Sequence, residues 1–320
     1  MPASVSLRSP RVYRPVLVLS LLIIGASFVV DFSMGATAFA LLMIAVVATG
    51  IPHGAVDHLV ASELYGLRFT WRDQAKFYGA YLALMALYGG LWLVASGLSL
   101  FLFLLMTIYH FGQADLAYLR PTGWRRPAAY LSRGLLVIGL PIVAFPGIVD
   151  PIFDAIATTH LLEWTWMTEH ASMLALGLVA QHGAMLAGLR PLMDRAALQR
   201  EMLSTGIFAL LFWTVHPLVA FAVYFGGWHA LGHILELIRF FNRHDQPTSI
   251  TDFYRKAAVF TVLSFVMLGA LYVAAQAFGS QEQMIALLFI LISVMTLPHM
   301  IIVERMYQHK RQKAHPAEAR

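Results

Sequence analysis

Residues 228–236 read Trp-His-Ala-Leu-Gly-His-Ile-Leu-Glu and lie within an apolar run that covers about residues 217–238. An α-helix turns about 100° per residue, so His229 and His233 lie within about 40° of each other and Glu236 falls between them. Two imidazoles one turn apart can bind a single iron, copper or zinc ion. The purely structural alternative is a pair of histidines bonded to neighbouring helices. Polar groups at membrane depth usually have a functional reason, which favours the metal site.

The composition predicts an integral membrane protein. Of the 320 residues, 59% are hydrophobic and only 12% are charged, and the mean hydropathy is +0.69. A soluble domain carries about 25% charged residues. The sequence contains no cysteine, which excludes disulfides, thiolate metal sites and cysteine nucleophiles.

The apolar runs predict an all-α, polytopic membrane helix bundle of about ten transmembrane helices. The first run follows several arginines and could pass for a signal peptide, but no clear cleavage pattern closes it, so we expect a retained helix. The two short runs on either side of Pro217 fit either two ordinary helices or a re-entrant hairpin. The predicted spans are residues 16–31, 36–53, 76–97, 100–119, 129–149, 171–189, 202–216, 217–239, 257–277 and 283–303.

The basic residues predict the orientation. With the N-terminus in the cytoplasm, all 22 Lys and Arg residues fall on or at the cytoplasmic side, which places both termini there by the positive-inside rule. Arg133 lies inside the fifth run, near enough to its cytoplasmic end for the side chain to reach the interface. Because the basic residues lie at helix ends and form no patch, we expect a bilayer and not nucleic acid as the partner. We expect a multi-pass protein of the inner (plasma) membrane.

The expected domain organisation is simple. Residues 1–15 form a cytoplasmic N-terminal segment, residues 16–303 a single transmembrane catalytic domain, and residues 304–320 a charged, frayed cytoplasmic tail.

Four histidines in three apolar spans suggest one shared site. We take the next arginine after each histidine as the cytoplasmic edge of the membrane. Measured along the helix axis from that arginine, His110 and His229 each lie about 15 Å below the edge, and His233 about 9 Å below it. His53 follows Pro52 at the inner edge of its span. We therefore expect His53, His110, His229 and His233 to converge in the inner half of the bundle as metal ligands.

Three carboxylates lie near these histidines. Asp57 is one turn after His53 if the segment stays helical, and could then fix the tautomer of that ligand. Glu236 is the best candidate on the face of His229 and His233, whereas Asp115 is rotated away from the histidine of its own helix and is expected to serve a neighbouring helix or cap a turn. For each carboxylate, pairing with a nearby arginine or with a helix break is the structural alternative.

The other histidines are weaker candidates. His182 and His299 lie inside spans 6 and 10 and are possible outer partners of the site. A surface role is expected for the loop and tail members, which are His160, His170, His244, His309 and His315.

Four neutral imidazoles without a thiolate suit a divalent transition metal, and octahedral coordination would leave two open positions for dioxygen. With the same ligands zinc would favour a closed, structural site. A metal or proton transporter that uses buried histidines remains a non-enzymatic alternative. A membrane di-iron desaturase is disfavoured because the chain has no His-His dipeptide, and a zinc protease because it has no His-Glu-x-x-His box.

Four ordered motifs resemble those of the Brp/Blh family of membrane β-carotene 15,15'-dioxygenases. They are Pro52-His53-Gly-Ala-Val-Asp57-His58, Tyr109-His110-Phe-Gly-Gln-Ala-Asp115, Trp228-His229-Ala-Leu-Gly-His233 and Leu297-Pro298-His299. The resemblance implies cleavage of the central double bond of β-carotene by O2 into two molecules of retinal, often for a microbial rhodopsin. It also implies that His53, His110, His229 and His233 hold Fe(II). Another membrane non-haem iron oxygenase acting on a lipid or carotenoid is the nearest enzymatic alternative.

Overall fold

The computed structural model describes residues 10–30, 35–157, 164–277 and 284–314. These residues form helices and contain no β-strand, which confirms the all-α prediction. His160 and His315 lie outside the described residues, as do residues 1–9 and 315–320 of the predicted terminal segments. In chain order the α-helices are α1 (Pro10–Ser27), α2 (Gly35–Ala45), α3 (Ile51–Gly54), α4 (Asp57–Tyr65), α5 (Trp71–Val94), α6 (Ser96–Leu116), α7 (Arg125–Ala144), α8 (Pro146–Ile156), α9 (Trp164–Glu169), α10 (Ala171–Leu189), α11 (Arg195–Thr214), α12 (Pro217–Ala222), α13 (Leu231–Arg243), α14 (Ile250–Ala277) and α15 (Met284–Ala314).

Eight helical segments of the described chain are long and apolar enough to cross a membrane, as expected for a polytopic membrane bundle. The apolar part of α1, Val12–Ser27, is shorter than these, and α11 is not among them although it covers most of predicted span 7. The count of ten spans and the cytoplasmic termini stay predictions. The eight segments are Ala36–Tyr65, Trp71–Val94, Ser96–Leu119, Arg125–Ala144, Ala171–Leu192, Pro217–Arg243, Ile250–Ala277 and Met284–Gln312.

The chain divides into two compact units. Unit 1 comprises Met1–Gly50, Thr107–Ile152 and Leu162–Arg239, and unit 2 comprises Ile51–Met106, Phe153–Leu161 and Phe240–Arg320. In unit 1, α7 packs against α10 and α11, while α12 packs against α2. In unit 2, α15 packs against α4, α5 and α14.

Two π-helical segments pack against each other in unit 1. Val46–Gly50 continues α2, and Val223–Ala230 links α12 to α13. A Cβ on Gly226 would lie 2.7 Å from the Cβ of Ala45, so only glycine permits this approach. Thr49 Oγ1 donates a hydrogen bond to the Gly226 carbonyl at 3.0 Å. This hydroxyl therefore satisfies a backbone acceptor that lies in an irregular helical turn.

Local sequence signals explain several helix ends. Thr70 accepts a hydrogen bond from the Asp73 backbone N–H at the start of α5, and Asp194 does the same for Ala197 at the start of α11. Gly66 ends α4 in the left-handed conformation, with φ of 63°.

The predicted tail is helical where it is described. Helix α15 continues without a break to Ala314, so the expectation of a frayed segment is wrong for residues 304–314. Glu304 Oε1 accepts hydrogen bonds from Gln308 Nε2 and Arg311 Nη2, each at 2.9 Å. These contacts between successive turns stabilise the last part of the helix.

Candidate metal centre

Three of the four predicted ligands come together in unit 1. His110 lies on α6, His229 in the second π-helical segment and His233 on α13. The His110 ring centroid is 5.0 Å from that of His229 and 6.3 Å from that of His233. All three residues are buried, with no more than 3% of their surface exposed. Imidazoles from three separate helical segments thus share one buried region.

The spacing of these rings fits ligands of one ion. A metal–nitrogen bond of about 2.1 Å places each ring centroid about 3.2 Å from the ion, so two ligated rings can be at most about 6.4 Å apart. Both measured centroid distances, 5.0 and 6.3 Å, fall within this limit. The donor set of this cluster, neutral nitrogens in an apolar surrounding, suits a borderline transition metal such as Fe(II). By this distance His110 can share one metal ion with His229 or with His233.

Aromatic side chains fix the His229 ring. Phe111 lies against it with centroids 4.1 Å apart, and Phe225 stacks nearly parallel to it at 5.9 Å. Phe111 also contacts Phe221 and Phe225. This packing restrains the buried imidazole and surrounds it with apolar rings.

Asp115 holds the segment that carries His229. Its Oδ1 accepts a hydrogen bond from Trp228 Nε1 at 3.1 Å, and its Oδ2 accepts one from the Tyr224 hydroxyl at 3.0 Å. Arg133 Nε donates to the same Oδ2 at 2.7 Å. The partners of Asp115 thus lie on α7 and in the π-helical segment. They are on neighbouring helical segments, as the sequence predicts for this residue.

The position expected for Arg133 is wrong. Its side chain does not extend to the membrane interface and is fully buried, with no exposed surface. In addition to Asp115, it donates a hydrogen bond from Nη1 to Thr205 Oγ1 at 3.1 Å. The sequence signal for this ion pair was one charged residue inside each of two consecutive apolar runs, Asp115 in the fourth and Arg133 in the fifth.

His53 lies in unit 2, where its ring contacts that of His299. The two centroids are 5.0 Å apart and the rings are nearly perpendicular. His299 Nδ1 donates to the Asp57 carboxylate, with distances of 2.9 and 3.0 Å to its two oxygens. Tyr81 donates its hydroxyl hydrogen to Asp57 Oδ2 at 3.1 Å. Asp57 thus orients His299, a residue that sequence reasoning treated as a weak candidate.

The continuous helix assumed for Asp57 is absent. Helix α3 ends at Gly54 and α4 begins at Asp57, so the carboxylate does not lie one helical turn above His53. The recurrence of Pro-His at Pro52-His53 and Pro298-His299 was the available signal for His299. Since an ionised carboxylate only accepts hydrogen bonds, a neutral His299 carries its proton on Nδ1 and its lone pair on Nε2.

The remaining candidates contact other groups of the protein. Glu236 Oε2 accepts a hydrogen bond from Arg239 Nη1 at 3.0 Å, which is the structural alternative considered for this residue. His182 is buried, with Nδ1 3.0 Å from Ser132 Oγ. His170 Nδ1 lies 2.9 Å from the Trp166 carbonyl oxygen near the start of α10.

Fold and site together define a polytopic α-helical membrane protein with buried histidine clusters suited to a metal ion. Residues 44–307 match the sequence profile of the family described as beta-carotene 15,15'-dioxygenase, and the chain belongs to this family. This membership confirms the resemblance carried by the four motifs, and with it the expectation of an enzyme of this type.

Two curated relatives cover most of the chain. A protein of Halobacterium salinarum named probable beta-carotene 15,15'-dioxygenase Blh is 28% identical over 294 residues, which is 83% of each chain. A beta-carotene 15,15'-dioxygenase of the uncultured marine bacterium 66A03 is 24% identical over 266 residues, or 82% of this chain and 92% of the relative. No solved structure matches.

Proposed function

We propose that this protein cleaves the central 15,15' double bond of β-carotene with O2 and releases two molecules of all-trans-retinal. The observation that carries the proposal is the buried grouping of His110, His229 and His233 within a family match that spans residues 44–307. The substrate is a hydrocarbon that dissolves in the bilayer, and apolar membrane helices are a suitable environment for it.

We propose Fe(II) as the metal and His53, His110, His229 and His233 as the residues that hold it. When bound, Fe(II) supplies a redox-active centre with open coordination positions for dioxygen chemistry. Asp57 supports the site through His299, whose Nε2 lone pair makes this imidazole a further candidate donor. Asp115 supports it through Trp228, the neighbour of His229 in sequence.

The chemistry requires little proton transfer from the protein. Addition of one O2 across the central double bond places one oxygen atom on each carbon, and both atoms leave as aldehyde oxygens without net gain or loss of protons. A histidine cluster enclosed by Phe111 and Phe225 is consistent with this requirement, because those rings exclude water and Asp115 is engaged in an ion pair. The protein contributes position and exclusion of water, and these determine which of many similar double bonds reacts.

The proposal is tested by expressing the chain in bacterial cells that accumulate β-carotene. Loss of the orange colour together with formation of retinal is expected for the wild-type protein. Single Ala substitutions of His53, His110, His229 and His233 are expected to remove nearly all retinal formation and to lower the iron content of the purified protein. His170→Ala is the control, because His170 contacts a backbone carbonyl near the start of α10.

If any of the four variants retains normal iron content and turnover, its assignment as a ligand is wrong. If the wild-type protein forms no retinal in cells that contain β-carotene and iron, the proposed function is wrong. Iron that exchanges freely and crosses vesicle membranes with the protein would instead indicate a transporter.

A further inference from the structure

Unit 2 contains an apolar cavity that the site described above does not use. Its volume is about 380 Å³, and its wall is formed by side chains of α4, α5, α14 and α15 together with Gly54 and Ala55. Almost all of the wall is hydrophobic or aromatic. Pockets for small ligands have volumes of about 300–1,000 Å³. This cavity therefore suits a compact hydrocarbon group and is small for an entire carotenoid.

Key polar groups in the wall are already bonded to protein atoms. Both oxygens of Asp57 accept hydrogen bonds, from His299 and from Tyr81. Ser264 Oγ donates to the Phe260 carbonyl at 2.8 Å. A hydrocarbon that fills the cavity would not displace these bonds, whereas a ligand hydroxyl would find few polar partners.

The helices that flank the cavity, α5 and α14, are the least buried of the eight membrane-length segments of the described chain. Only 11% of the apolar window of α5 and 17% of that of α14 is buried. Where these helices approach each other, the rings of His58, Tyr78 and Phe260 form a contact cluster, with centroids 4.7 to 6.3 Å apart. All three residues are half-buried and line the cavity. These three rings thus form the part of the cavity wall that lies between α5 and α14.

Asp57 connects the cavity to His299 and His53 of unit 2. Asp57 lines it, and the same carboxylate binds His299, whose ring lies 5.0 Å from the ring of His53. A group held in the cavity therefore has a defined position relative to His53.

We propose that this cavity binds one β-ionone ring of the carotenoid, which enters from the bilayer between α5 and α14 past the rings of His58, Tyr78 and Phe260. The inference rests on the proposed function and adds the place where the substrate is held. Binding of the ring end in this cavity sets the part of the polyene that lies beside His53, and thereby contributes to the choice of the central bond. The shape of the end group then determines which carotenoids are accepted.

Ser264→Phe tests the proposal by filling the cavity, and Val262→Phe is the matched control on the same helix. Val262 is 62% exposed and points away from the cavity wall. For Ser264→Phe we expect the KM for β-carotene to rise about tenfold or more. We expect a similar loss of β-carotene binding to the metal-free protein, measured by quenching of tryptophan fluorescence. Both quantities should stay at wild-type values in Val262→Phe.

Phe260→Ala provides a second test if Ser264→Phe fails to fold. Removing this ring enlarges the cavity, so the kcat/KM for a carotenoid with bulkier hydrocarbon end groups should rise about tenfold relative to that for β-carotene. A wild-type KM in Ser264→Phe, or an unchanged preference in Phe260→Ala, would overturn the inference while retinal formation by the wild type still supports the proposed function. Loss of binding of cis-parinaric acid in Ser264→Phe, with β-carotene binding unchanged, would assign the cavity to a lipid acyl chain. Absence of retinal formation by the wild type would refute the proposed function itself.

Discussion

In unit 2 the Asp57 carboxylate affects the proposed site through its hydrogen bonds. It accepts hydrogen bonds from His299 and Tyr81 and is almost fully buried, with 4% of its surface exposed. The ring of His299 in turn contacts that of His53. A change at Asp57 is therefore expected to affect the metal through the orientation of His299.

Replacement of Asp57 by Asn tests this role. Loss of a carboxylate that orients a ligand typically costs about 10–100-fold in metal affinity or activity, so Asp57→Asn should fold, bind iron weakly and recover part of its rate in excess iron. Iron titration of the purified variant measures the effect. Glu236→Gln is the control, since Glu236 accepts a hydrogen bond from Arg239, and it should leave iron affinity unchanged. Full iron occupancy and full activity in Asp57→Asn would show that the carboxylate serves only the fold.

At this scale the sequence predicted residue types better than pairings. The motif histidines were recognisable because imidazoles are rare in apolar helices. The partner of Asp57 was not recognisable from the sequence. The interruption between Gly54 and Asp57 changes the direction of the carboxylate, and its partner His299 lies 242 residues away in the chain. Arg133 was misplaced for a similar reason, since its partner Asp115 lies on another helix.

At the scale of helices, close backbone contacts position the histidine-bearing segments. Gly112 on α6 lies against α7, where an added Cβ would be only 1.7 Å from the Tyr130 carbonyl oxygen. Gly134 on α7 lies equally close to the Ile108 carbonyl oxygen. The position of His110, two residues before Gly112, therefore depends on a contact that only glycine allows. The π-helical turns were also beyond sequence prediction, because they depend on packing between segments far apart in the chain.

Gly112→Ala is expected to separate α6 from α7 and to destabilise the protein. Overpacking typically costs about 1–3 kcal/mol, and the backbone contact at Gly112 places this variant at the upper end of that range. Gly183→Ala on α10 is the control, because an added Cβ there meets nothing within 4 Å and alanine favours a helix by about 1 kcal/mol. Thermal unfolding in detergent compares the two. Equal stability of both variants would contradict the close contact between α6 and α7.

At the scale of the whole molecule, the sequence alone supplies the orientation in the membrane. Apart from the buried Arg133, the 22 basic residues all fall on or at one side in the predicted topology, and this asymmetry is a strong determinant of orientation. The count of spans depends on α1 and α11, which lie outside the eight segments that meet the length and hydropathy criteria within the described chain.

Reporter fusions test the topology. A reporter inserted at residue 160 is expected outside the cytoplasm, and a reporter at the C-terminus is expected inside it. Proteolysis of intact cells provides an independent measurement of the same sites. Both reporters on one side of the membrane would show that the number of spans between them is even, against the prediction of an odd number.

The central claim is that the protein cleaves β-carotene at its central double bond. Its most direct test is the product ratio formed by the purified protein with Fe(II), O2 and β-carotene, measured by chromatography with mass detection. The proposed reaction gives two molecules of all-trans-retinal for each β-carotene consumed, and no aldehyde with a longer chain than retinal. Fragments of unequal length, or consumption of β-carotene without retinal, would contradict it.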